Sequence, residues 1–249
     1  MKNFFYLFLF LTLFSNTAYS VSGTATEYKV TIKKIELCET GSLVSNCLNP
    51  ITIFTGDSGL VDIANTAAGV TAAGLGDPTA AKLGATYTVI QTTLSRKITI
   101  KGYVATGNDS CSTVDDTTNA TKVKNGKGAH ATGGTPTATE TGVYYAGEAL
   151  AADLNVGDAW NGITSAGVVD TGDDANDGTD IVDFQWRNVL TTPLTITLGK
   201  IPTVTIAFGV TDTIGFAGNI ATAAHCTNAA NATTGLYIKQ PDITITMQN

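Results

Sequence analysis

Ser58 and His225 are the residues of this 249-residue sequence that could together do nucleophilic chemistry. Ser58 stands in the segment GDSG (56–59) and His225 in TAAHC (222–226). A serine hydrolase needs a Ser to attack, a His to take its proton and an Asp to orient the His. Several aspartates could fill the third role. The surroundings point another way. Gly, Asp and Ser together form ordinary turns, and GDSG leads directly into the alternating stretch LVDIA. The chain has two histidines, and neither lies in an apolar run. His130 sits in a low-complexity stretch and is expected to be exposed, while His225 reads as a loop residue beside a cystine. General acid–base catalysis by histidine therefore has little support here.

The two segments resemble those that carry the catalytic His and Ser of chymotrypsin-like serine proteases. Their order is reversed, and the Gly-Pro that follows the family's Ser segment is missing, so a serine hydrolase is the remotest reading.

A second candidate is the acidic stretch DTGDDANDGTDIVD (170–183). Asp170, Asp173, Asp174, Asp177 and Asp180 could offer carboxylate oxygens to Ca²⁺, which takes six to eight oxygen ligands from a flexible loop. The stretch is not an EF-hand loop, because the register before Gly178 places Ala175 at a ligand position. The alternative is a solvated acidic turn. Either no cofactor or Ca²⁺ is expected. A glycosidase would need paired carboxylates flanking a sugar groove, and no second acidic cluster with nearby aromatics marks one.

These residues sit in a chain that reads as exported. Lys2 precedes the apolar run FFYLFLFLTLF, and Ala18 and Ser20 occupy the small-residue positions before Val21. Residues 1–20 are expected to be a cleaved signal peptide, leaving 21–249 as a single domain with no later membrane-spanning segment. The product is expected at the cell surface, in the periplasm or outside the cell. The net charge of −7 leaves no clustered cations for nucleic acid or anionic lipid. Charged residues make up 14% of the chain, so solubility rests on Thr, Ser, Asn and Asp. The four cysteines, Cys38, Cys47, Cys111 and Cys226, read as two disulfides after export. Three pairings are possible, and Cys38–Cys47 with Cys111–Cys226 is the favoured one.

The elements that must position these residues are strands. In EYKVTIKKIELC, Tyr28, Val30 and Ile32 share a phase that shifts to Ile35 and Leu37, which predicts a bulge near Lys33–Lys34. In TYTVIQTTLSRKITIKGYV, Ile90, Thr92, Leu94, Ile98 and Ile100 share a phase that also includes Arg96. That pattern predicts a bend near Ser95–Arg96, or a buried arginine with a carboxylate partner. Residues 63–84 are small and Gly-rich and could form a helical turn. Residues 106–142 read as a long Thr/Gly/Asn-rich insertion that is loop-rich or disordered. Strand patterns return with Val182, Phe184 and Trp186; with Leu194, Ile196 and Leu198; with Val204, Ile206, Phe208 and Val210; and with Ile243, Ile245 and Met247. Pro193, Pro202 and Pro241 stand at strand starts. The expected fold is an all-β, disulfide-stapled antiparallel β-sandwich.

From Tyr28 to Ile100 the segments YKVTIKKIELC, CLNPITIF, VDIA and GATYTVIQTTLSRKITIKG resemble prealbumin-like domains of exported bacterial β-sandwich proteins of unknown function. The resemblance covers about a third of the chain. It implies a surface or periplasmic sandwich and supplies no catalytic residues.

The sequence therefore points first to an exported, non-enzymatic structural or adhesive surface protein, such as a fibre subunit. Such a protein would self-associate through terminal or edge strands, for which DITITMQN, expected to be a free alternating C-terminal strand, is suited. A Ca²⁺- or glycan-binding module is the alternative.

Overall fold

The computed structural model describes residues 20–65, 77–115, 128–133, 136–144, 160–164, 169–170, 181–199, 203–217, 220–221, 223–227, 235–239 and 241–248. Of the proposed signal peptide, only Ser20 falls within them.

The described chain is all-β. After β1 (Ser20–Gly23) comes β2 (Ala25–Glu39), followed by β3 (Ile51–Thr55) and β4 (Leu60–Asp62). Among the described residues of the small-residue stretch, a 3₁₀ turn at Pro78–Ala80 precedes β5 (Thr86–Ser95) and β6 (Lys97–Thr106). The last two strands run end to end, antiparallel, along the length of β2. Leu37 faces Ile90 and Ile32 faces Leu94 in β5, and Lys29 faces Thr99 and Tyr28 faces Ile100 in β6. The predicted bulge is present, because the register slips between Ile32 and Lys34. A one-residue slip exchanges the faces of a strand, which is why the apolar phase changes there. The predicted bend is present too: Arg96 separates β5 from β6, is buried, and donates its N–H to Val182 O at 2.9 Å. On its other edge β2 carries β3 along its second half and β4 along its first.

The remaining elements are β7 (Asp109–Thr113), β8 (Gly128–Thr132), β9 (Thr141–Tyr144), β10 (Trp160–Thr164), β11 (Val169–Asp170), β12 (Ile181–Thr195), β13 (Thr203–Gly209), β14 (Ile214–Ala217), the one-turn helix α1 (Ala223–Thr227), β15 (Gly235–Ile238) and β16 (Asp242–Gln248). An eleven-stranded sheet runs in the order β11-β10-β12-β5-β2-β6-β7-β8, with β3 and β4 on β2 and β9 on β6. A three-stranded sheet, β1-β14-β15, and a two-stranded one, β13-β16, complete the sandwich-like fold. All the strand pairs are antiparallel.

Three sequence expectations need correction. The Thr/Gly/Asn-rich insertion at 106–142 is not loop throughout, since β7, β8 and the start of β9 lie in it. Its strands escape a hydrophobic-pattern reading because they bury small polar side chains: Ser110, Ser112 and Thr113 are all buried. The strands expected on either side of Pro193 are one strand, β12, whose register against β5 breaks between Val189 and Leu194. That break accommodates a proline, which cannot donate to the ladder. The strand then ends at Thr195, so Leu198 lies in an exposed turn and not on the inner face with Leu194. Finally, the C-terminal strand is not free. β16 pairs with β13 over seven positions, from Thr203–Gln248 to Gly209–Asp242.

The larger core lies where the three-stranded sheet covers β6, β7 and β9. Ile98, Ile100, Val104 and Val143 meet Ile214, Phe216, Leu236 and Ile238 there. The approach is close enough that a Cβ on Gly128 would lie 2.6 Å from the Phe216 ring, so β8 needs glycine at that point. A second core gathers Ile35, Leu37, Tyr87, Ile90, Leu190 and Leu194 at the other half of the sheet.

A surface charge network crosses the first half. Glu27 accepts from Lys101 at 2.9 Å and pairs with Lys29 at 2.5 Å, and Lys29 also holds Glu140 just before β9. Lys29 and then Lys101 hold the Glu27 carboxyl down to about 2. A carboxyl depressed in the folded state contributes stability above its unfolded value, and that contribution is lost as pH falls toward its folded value. Stability should therefore decline between about pH 4.5 and pH 2. Glu27→Gln should lower stability at pH 7 and flatten this acid limb, as read by urea unfolding across the range.

Candidate functional site

The GDSG turn joins β3 to β4. Positive φ at Gly56 (141°) and Gly59 (68°) explains the two glycines. Ser58 Oγ accepts the Ile32 N–H at 2.8 Å and donates to Gly59 O at 2.7 Å. Asp57 pairs with Lys33 at 2.5 Å and accepts the Gly59 N–H at 2.8 Å. Lys33 first, and then the Gly59 N–H, hold the Asp57 carboxyl below the usual range. The turn thus satisfies the backbone of β2 next to its bulge. Asp183, on β12, is close enough for Lys33 and Asp57 to act on its carboxyl, which burial pushes up, with Lys33 opposing and Asp57 reinforcing.

The histidines lie elsewhere. His225 is half-buried in α1, which packs on β8, β14 and β15. His130 is not exposed as expected. It lies on β8 in register with Cys111, half-buried, with Nε2 3.2 Å from Asp109 Oδ1 but not aligned as a hydrogen bond. Thr132 Oγ1 donates to the same Asp109 oxygen at 3.1 Å. Ser58 is thus bonded to β2, while both histidines belong to the region around β8. The structure does not bring the triad candidates together.

The cysteines pair as Cys38–Cys47, with Cα atoms 5.1 Å apart, and Cys111–Cys226, 5.7 Å apart. The first closes a surface loop, and the second ties α1 to β7. Two disulfides fit an oxidising compartment, periplasmic or extracellular. Of the acidic stretch, Asp173, Asp174, Asp177 and Asp180 lie outside the described residues. Asp170 ends β11, with its backbone opposite Gly162. Among the described residues, no group of three or more His, Cys, Asp or Glu could hold a metal ion, and no helix is long and apolar enough to cross a membrane.

Sequence reasoning missed a buried polar ladder across three strands. Glu36 on β2, Gln91 on β5 and Arg187 on β12 stand side by side in register. Gln91 Nε2 donates to Glu36 Oε2 at 2.7 Å and Arg187 Nε to Gln91 Oε1 at 2.5 Å. Arg187 Nη2 reaches Gln185 Oε1 at 3.2 Å, and Nη1 reaches Val44 O, in the Cys38–Cys47 loop, at 3.1 Å. Burial lowers the guanidinium's proton affinity, and Glu36 opposes that effect. The available signal was that Gln185 and Arg187 alternate with Phe184 and Trp186 in a strand central to the sheet, where both faces are covered. On the opposite face an apolar cavity of about 40 Å³ is lined by Ile90, Leu94, Trp186 and Phe208, with Thr92 and Asn188 among its walls. It is small beside the roughly 150 Å³ of an apolar cavity that admits benzene, and reads as imperfect packing between layers.

Compared with protein-family models, curated proteins and solved structures, the chain matches none.

Two measurements check this description. A fluorophosphonate probe should leave Ser58 unlabelled, because its hydroxyl is engaged by backbone on both sides; stoichiometric labelling would restore the hydrolase reading. Arg187→Ala should destabilise the fold by about 3 kcal/mol, because it strips the donor from a buried, charged network. Denaturant unfolding without reductant reads that loss, and a change under about 1 kcal/mol would mean the ladder is not held as described.

Proposed function

We propose that this chain is an exported, non-enzymatic structural or adhesive surface protein that self-associates through strand edges, in the manner of a fibre subunit. The observation that carries the reading is the set of strands with one described partner each. β1 and β15 flank the three-stranded sheet, and β13 and β16 form a ribbon without a third strand among the described residues. An unpaired edge offers a row of N–H and C=O groups to a neighbouring chain, and adding a strand there gains main-chain hydrogen bonds. The β13–β16 ribbon is the favoured joint, since a ribbon with no third strand among the described residues leaves main-chain groups that a further strand can pair.

The chemistry of the candidate groups agrees with a binding rather than a catalytic role. Ser58 and Asp57 serve the β2 bulge, and His130 stands beside Asp109 within a strand pair. The two disulfides suit a protein that must persist outside the cell. The prealbumin-like resemblance of residues 28–100 points to the same class of exported sandwich.

Negative-stain microscopy with light scattering on protein purified without reductant tests the proposal. Filaments or regular oligomers are expected, and Thr205→Pro in β13 should disrupt them. A monomer at all concentrations would sink the assembly reading.

A further inference from the structure

The two disulfides differ in what can reach them. Cys38, Cys111 and Cys226 are 0% exposed, whereas Cys47 is half-buried. The Cys111–Cys226 bridge lies in the larger core, where α1 meets β7, and both of its cysteines are shut away from solvent. In the Cys38–Cys47 bridge one end belongs to the central strand β2. The other belongs to a surface loop in which Ser45, Asn46, Leu48 and Asn49 are exposed. Thiol–disulfide exchange needs a thiolate to reach one sulfur and expel the other, so access decides which bridge exchanges and in which sense.

The loop closed by this bridge is tied to the buried polar ladder. Arg187 Nη1 donates to Val44 O at 3.1 Å, near the middle of the loop. On one side of Val44, Thr40 N–H holds the chain to Thr86 O at 2.9 Å. On the other side the neck is shut by the bridge itself and, beside it, by the Glu39 N–H bond to Leu48 O at 2.9 Å. The bridge is covalent, while a single hydrogen bond at a surface is readily exchanged for one to water. Opening the bridge therefore loosens the returning limb and lets Val44 O lift from the guanidinium. Withdrawing an acceptor from a buried charged group is costly, so the state of the bridge is felt by Arg187, Gln91 and Gln185 together.

We infer that Cys38–Cys47 is a thiol-addressable switch that sets how firmly the polar ladder is held, while Cys111–Cys226 is a permanent staple. A dithiol reductant attacks Cys47 Sγ. A new S–S bond forms there, the Cys38–Cys47 bond breaks, and Cys38 leaves as the thiolate. The second thiol of the reductant then attacks its own sulfur in the mixed disulfide and releases Cys47. Two electrons pass from the dithiol to the cystine, the dithiol becomes a disulfide, and its two protons end on Cys38 and Cys47. The inference is independent of the assembly reading, because the strand edges proposed as joints take no part.

Graded dithiothreitol on the folded, exported protein tests it, followed by alkylation in denaturant and peptide mass mapping. Cys38 and Cys47 should be alkylated while Cys111 and Cys226 stay paired. In that partly reduced protein, hydrogen exchange should quicken roughly tenfold at the amides around Arg187 in β12 and Gln91 in β5. The sense of attack is read from single variants: Cys47 in C38S should react with a thiol-directed dye roughly tenfold or more faster than Cys38 in C47S. Reduction of both bridges together, of Cys111–Cys226 first, or of neither before unfolding overturns the inference. So does ladder exchange that is unchanged after selective reduction, or a Cys38 in C47S as reactive as Cys47 in C38S. The mapping and the exchange are read on wild type, so they decide the matter even where a variant fails to fold.

Discussion

The antiparallel pairing of β2 with the continuous line of β5 and β6 is the contact on which the rest of the molecule depends. β2 is fifteen residues long, and its two edges support β5, β6, β3 and β4. A strand that long cannot keep one face to a single core as the sheet twists. The bulge at Lys33 and the bend at Arg96 lie at nearly the same level: β2 changes phase there, while Ile90, Leu94, Ile98 and Ile100 keep theirs. One half of the sheet can then pack on the three-stranded layer, while the other builds a separate core around Leu37 and Tyr87. The GDSG turn belongs to the same solution, because Ser58 accepts the Ile32 N–H immediately before the slip.

Both faces of the central strands are covered, and this decides how polar side chains are used. Glu36, Gln91 and Arg187 occupy one face of three adjacent strands, each satisfying the next. The opposite face, a residue away, is apolar around Trp186 and Ile90. A polar network of this kind is stable only when every member has a partner, and Arg187 Nη1 finds one in Val44 O. The disulfide loop is thereby fastened to the sheet as well as closed by its own cystine. That explains how a short loop with two exposed leucines keeps a defined shape.

Much of this was legible along the chain because period-two alternation records which side of a strand is buried. The phase shift at Lys33–Lys34, the break at Ser95–Arg96 and the strand class of the last third all follow from that alternation, whereas the Cys38–Cys47 and Cys111–Cys226 pairing is the favoured one of three that the cysteine count allows. The strands at 109–113 and 128–132 were not legible, because their inward side chains are Ser, Thr and Gly. Such residues bury without any hydrophobic signal. The Pro193 region read as a strand start for a comparable reason: a proline tolerated at a register break looks the same in sequence as one at a terminus.

The sequence by itself determined that the protein is all-β and acidic, that its cysteines suit an oxidising compartment, and which residues alternate toward a core. These are local properties, carried by neighbouring side chains and by composition. Only the tertiary structure decided that Ser58 serves a bulge, that His130 stands beside Asp109, and that Arg187 ties the polar ladder to a disulfide loop. Each depends on contacts between residues tens to more than a hundred positions apart. Those contacts are set by strand register, and register is fixed by how whole faces pack together.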